Sequence, residues 1–154
     1  MKDGVTSKLN ANFLLLSSAG VIAMFAAIWH LLCIVGGPSW YIFARAPEPI
    51  INSAINGTWL APLGASLIAI LMVICSFYAL SAAGIWRKLP LLNAALFIVG
   101  SICTFRGIIA IPLLVSSKGI DIWQVIASSV WFYTGLCFIY GYLNQRHLKR
   151  LARK

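Results

Sequence analysis

Two residues carry chemistry that their surroundings do not explain. His30 lies near the end of the apolar run "FAAIWHLLCIVGG", and Arg106 is the single charge inside "LFIVGSICTFRGIIAIPLLV". A charge in hydrocarbon costs several kcal/mol, so such a residue normally faces a protein interior or water and finds a partner. A guanidinium suits planar, bidentate contact with carboxylate or phosphate. The chain has three acids, Asp3, Glu48 and Asp121, of which the last two flank the runs that carry His30 and Arg106. With Trp40 and Tyr41 nearby in sequence, a cluster of His30, Arg106, Glu48, Asp121, Trp40 and Tyr41 would make an outward-facing polar pocket. It would hold a lipid head group, a carboxylate ligand or an acidic residue of a partner. In the plainer alternative, Arg106 pairs with Asp121 or Glu48 to lock the helices, and His30 makes an interhelical hydrogen bond.

Other chemistries lack their residues. No P-loop, GxSxG, HExxH or glycine-rich dinucleotide fingerprint occurs. Haem held between helices needs a second histidine at depth, and the only other one, His147, lies in the basic C-terminal stretch. A di-metal site needs several carboxylates projecting from the helices, and a proton-driven pump an embedded Asp or Glu; the apolar runs hold neither. Cys33, Cys75, Cys103 and Cys137 all fall within apolar runs, with no CxxC pair. They read as small hydrophobes rather than as a zinc site. The expectation is therefore a non-enzymatic protein with no catalytic residue, cofactor or metal. The alternatives are a small transporter or channel, alone or oligomeric, and a lipid-modifying enzyme with His30 as base.

The elements that would position these residues are membrane spans. The 154 residues are 61% hydrophobic and 10% charged, against about 25% charged in soluble domains. A spanning helix needs about 20 apolar residues, and four runs meet that length, at about 13–35, 59–85, 89–115 and 122–143. They are too long and too uniformly apolar for barrel strands, which take about 10 alternating residues. The first run exceeds a signal-peptide core of about 7–15 residues and reads as a retained anchor. At 1.5 Å per residue, His30 lies about 6 Å and Arg106 about 14 Å below the outer ends of their helices.

Basic residues in short flanking segments set orientation. Lys2, Lys8, Arg87, Lys88, Arg146, Lys149, Arg150, Arg153 and Lys154 fall on one side, Arg45 and Lys118 on the other. Both termini are thus expected in the cytoplasm. The net charge of +9 follows this topology and calls for no nucleic acid. The basic tail, 144–154, reads as a topology anchor extending the fourth helix, with binding of acidic lipid as the alternative. Residues 36–58 form one longer outer loop, expected to cap the outer surface with a short interfacial helix. Its Asn56-Gly57-Thr58 fits a glycosylation acceptor, relevant in a eukaryotic secretory pathway. Small residues let membrane helices approach closely. They recur as Ala19, Ala23 and Ala27 before His30, as Gly100, Cys103, Thr104, Gly107 and Ala110, and as Ser128, Gly135 and Gly141.

The segments "WHLLCIVGGPSW", "FRGI" and "YTGLCFIYGYL" resemble those of small bacterial four-span inner-membrane proteins of unknown function. His30, Gly36, Gly37, Trp40 and Arg106 match that pattern, while the "PSW" and "RAPEP" segments depart from it. The resemblance implies a fold and a location and brings no activity. The expectation is an all-α, integral membrane four-helix bundle, a single domain over 1–154, N-in and C-in, in a bacterial inner membrane. Its partners would be membrane lipids and a membrane-protein partner or further copies of itself.

Overall fold

The computed structural model describes residues 2–116 and 122–151, and the side chains of residues 10–109 and 122–150. The described residues form six helices and no strand: α1 (Lys2–Gly36), α2 (Pro38–Phe43), α3 (Glu48–Ile55), α4 (Leu60–Ala83), α5 (Leu92–Ser116) and α6 (Ile122–Leu151). Four are long and apolar enough to cross a membrane, over Asn10–Gly36, Leu60–Ala83, Leu92–Ile109 and Ile122–Arg150. Large apolar side chains lie exposed along all four, among them Leu14, Phe25, Leu63, Phe105 and Leu136. Helices apolar on every side belong in lipid, and the chain reads as a multi-pass membrane protein.

One stretch differs from expectation. Residues 36–58 are not one long loop but are mostly taken up by α2 and α3. Gly37 turns the chain at φ 70°, a conformation that costs glycine little. Pro38 then opens α2, where its missing N–H is no loss. The helix closes in a Schellman pair, Ala46 N–H to the Tyr41 carbonyl and Arg45 N–H to the Ile42 carbonyl, both 3.0 Å, with Arg45 at φ 54° where glycine is usual. Pro47 and Glu48 start α3, the carboxylate favoured by the helix dipole. The basic tail continues α6 to Leu151, in line with its reading as an extension of the fourth helix. Its Gln, Arg, Leu and Lys residues are good helix formers, and Lys149 and Arg150 in the last turn suit the dipole.

The described chain divides into two compact units, and α1 and α4 contribute to both. One comprises residues 21–76, with a core of Cys33, Tyr41, Ala61 and Ala65. The other comprises residues 1–20 and 77–154, with Leu16, Ala19, Leu96, Cys103, Cys137 and Phe138 among its buried residues.

In the second unit α5 and α6 pack along a glycine seam. A Cβ added to Gly100 would meet Phe138 and Ile139, one on Gly107 would meet Phe132, and one on Gly135 would meet Thr104. Farther along, Phe97 stacks on Tyr142 with ring centroids 5.3 Å apart. Each step forward on α5 matches an equal step back on α6, so the two run antiparallel in a single register. The N-terminal part of α1 joins them through Leu16, which packs against Gly141. It also meets the end of α4, where Asn12 Nδ2 donates to the Ala82 carbonyl at 3.2 Å. The start of α1, the α4–α5 turn and the end of α6 therefore share one end of this unit.

Candidate functional site

In the unit of residues 21–76, the Gly-Gly-Pro-Ser-Trp segment is explained by packing. The Trp40 indole folds back over Gly36, where any Cβ would overlap its ring. It stacks on Trp29 at 5.3 Å between centroids, and Phe43 completes the cluster at 5.9 Å from Trp29. Tyr41, on the opposite side of α2, is buried in the core beside Cys33. Its hydroxyl is buried with no hydrogen-bond partner among the described residues. Burial, and then neighbouring Cys33, pushes the Tyr41 phenol above its ordinary range.

Ser53 joins the two ends of the α3–α4 connection. Its Oγ lies 2.7 Å from Thr58 Oγ1 and accepts the Ala61 N–H at 2.9 Å. It thereby caps the first turn of α4 from a neighbouring helix, satisfying a donor that helix starts leave open. His30 is half-buried on α1 and Glu48 is exposed at the start of α3. Among the described residues His30 makes no side-chain hydrogen bond.

In the other unit, the glycine seam decides where Arg106 goes. Helix residues three and four apart share a face. Arg106 therefore lies in line with Ile102 and Ile109, which are 62% and 42% exposed, while Gly107 faces α6. Contrary to the expectation of an inward guanidinium, Arg106 is exposed. It makes no hydrogen bond or ion pair among the described residues. The register puts it level with Tyr133, whose hydroxyl lies 2.8 Å from Ser18 Oγ. Around that level the hydroxyls of Thr104, Thr134 and Ser17 are buried without hydrogen-bond partners among the described residues. The Thr104 oxygen packs on Gly135, where weak Cα–H···O contact is common between close helices.

Of the six residues expected to form one pocket, five lie among the described residues. His30, Trp40, Tyr41 and Glu48 belong to one unit and Arg106 to the other, while Asp121 lies outside the described residues. Trp40 and Tyr41 hold up the fold of their unit. Sequence reading missed the Ser53 joint, because a lone serine in a connecting segment gives no signal of which backbone it will cap. It also missed the Ser18–Tyr133 pair, which becomes visible only once the helices are in register. Among the described residues no group of three His, Cys, Asp or Glu side chains could hold a metal ion. No family model matches the chain, and neither does any curated protein or solved structure.

Proposed function

We propose that the chain is a non-enzymatic four-helix protein of a bacterial inner membrane that holds an anionic group, from a lipid or a protein partner, through Arg106 in the outer leaflet. It would serve as an accessory subunit rather than as a solute pathway. The orientation follows from the basic residues: Lys2, Lys8, Arg87, Lys88, Arg146, Lys149 and Arg150 belong to the elements that share one end of their unit. Positive charge favours the cytoplasmic side, which sets both termini there and Arg106 in the outer half of α5. At 1.5 Å per residue, Arg106 lies about 15 Å from the Ser116 end of that helix.

One observation carries the functional reading: an exposed guanidinium among apolar neighbours, with no partner among the described residues. Leaving it unpaired in hydrocarbon costs about 2.5–3.5 kcal/mol on insertion scales. Its long stem lets it reach toward the head groups, and its fork fits phosphate or carboxylate. The test is native mass spectrometry of the full chain extracted with its neighbours, wild type against Arg106→Gln. Loss of a bound anionic lipid or protein in the variant is expected; an identical set of bound species would refute the reading.

A further inference from the structure

The end of this unit that carries the α4–α5 turn gathers further basic residues, whose role does not depend on that of Arg106. The turn between α4 and α5 carries Arg87 and Lys88, both exposed, and this turn is fixed. Ser81 Oγ donates to the Arg87 carbonyl at 2.9 Å and accepts the Leu89 N–H at 3.1 Å. Tyr78 donates its hydroxyl proton to the Pro90 carbonyl at 3.1 Å. Trp86 is held by Phe77, with centroids 5.4 Å apart.

Across from the turn stands the end of α6. Tyr142 faces α5 through Phe97, and Arg146 and Lys149, one and two turns farther on, continue that face. The α5–α6 register sets Arg146 level with Asn93, the second residue of α5, and Lys149 beyond the start of that helix, on the side of the turn. Arg146 is not a free tether: its Nη1 donates to the Tyr142 hydroxyl at 3.0 Å and its guanidinium lies over the same ring at 5.6 Å. A turn with a fixed backbone and the end of α6 thus bring four basic side chains to one end of the unit. Like charges so placed repel each other, and the chain's acids offer little relief. Asp121 precedes the far end of α6 in sequence, and Asp3 comes with Lys2 and Lys8. The aromatic residues beside these basic residues are of the kind that settle at the head-group level of a bilayer.

We propose that the α4–α5 turn and the last turns of α6 form a two-armed site for the phosphate of an anionic phospholipid. The turn supplies Arg87 and Lys88, and α6 supplies Arg146 and Lys149. The lipid sits at the bilayer surface with its phosphate between the arms, and its acyl chains lie along the exposed apolar faces of α5 and α6. A diffuse attraction between a basic membrane protein and an acidic leaflet would depend on charge alone. This site depends also on the rigidity of the turn.

The test uses the full chain in vesicles of equal phosphatidylglycerol and phosphatidylcholine, with retained lipids read by native mass spectrometry. Wild type is expected to retain phosphatidylglycerol preferentially. Each neutralisation among Arg87→Gln, Lys88→Gln, Arg146→Gln and Lys149→Gln should lower that preference by about fivefold, as expected for one surface charge. Each of these losses should persist in an Arg106→Gln background, so failure here and failure of the Arg106 reading are separable. Ser81→Ala should also lower the preference although it removes no charge; should that variant not fold, Tyr78→Phe frees the turn at a single hydroxyl. No preference in wild type, or no loss on neutralisation, overturns the proposal. So does loss on neutralisation with none on freeing the turn, which is the diffuse case. Displacement of the lipid by inorganic phosphate at matched phosphate concentration would overturn the membrane as the source.

Discussion

Replacing Gly135 by alanine should separate α5 from α6. The added Cβ would meet the Thr104 backbone nitrogen at 2.5 Å and Thr104 Cα at 2.9 Å, besides overlapping Thr104 Oγ1. Two of those atoms are backbone and cannot rotate aside, so the helices must part by about an ångström to reach ordinary contact near 3.5–4.0 Å. Over-packing of this kind costs about 1–3 kcal/mol, and the upper part of that range applies where backbone must move. For a chain of this length each kcal/mol shifts the midpoint by about 2–4 °C, so a fall of about 5–10 °C is expected. The control is Gly64→Ala, whose Cβ would meet only Ile50 Cδ1 at an ordinary 3.8 Å. That change should be neutral or mildly stabilising, since alanine is the better helix former. Thermal unfolding in detergent micelles, followed by circular dichroism, compares the two. Equal midpoints for Gly135→Ala and Gly64→Ala would refute the seam and with it the register used to place Arg106, Arg146 and Lys149.

Three further outcomes follow. Ser53→Ala should cost about 1–2 kcal/mol, because it leaves the Ala61 N–H without its cap; faster hydrogen exchange at the first turn of α4 is the readout, and unchanged exchange would show that Thr58 substitutes. Tyr41 should ionise at higher pH than the ordinary value of about 10. Its raised folded-state pKa means that its contribution to stability is fully present below the unfolded value and is lost as pH rises through the interval above it. Ultraviolet difference spectroscopy of wild type against Tyr41→Phe detects this titration, and an ordinary pKa would contradict the burial of the phenol. Arg106→Lys should keep a bound phospholipid, since lysine serves phosphate as a point charge, and should lose a carboxylate partner held bidentately; native mass spectrometry distinguishes the two.

The long helices were legible because an apolar run long enough to span a bilayer has few other structures open to it. The small-residue pattern also carried through: Gly100, Cys103 and Gly107 are all buried, and Gly100 and Gly107 face α6, as spacing suggested. Residues 36–58 were harder to read. Three prolines and a Gly-Gly pair look like loop punctuation, yet Pro38 and Pro49 sit in the first turn of short helices and Pro47 is the N-cap of the second, where proline is tolerated. Arg45 in the left-handed region could not be foreseen, since glycine fills that place in most helix endings. The pocket was assembled from depth alone. Depth along a helix says nothing about azimuth, and azimuth separates Arg106 from the seam.

Arg106 is exposed for a reason that reaches beyond its own side chain. Gly100 and Gly107 bring α5 so close to α6 that a single Cβ at either position would meet the partner helix within 2.9 Å. A seam that cannot take a methyl group has no space for a guanidinium. Close packing and an inward arginine are therefore exclusive on this face, and the sequence resolves the conflict by placing Arg106 one residue off the seam, in line with Ile102 and Ile109. The chain has no Asp or Glu inside its apolar runs, so a second copy presenting the same helices would bring no carboxylate to that depth. Among the described residues the fold gives Arg106 no partner, and the proposed reading therefore assigns its anion to a phospholipid or a different protein.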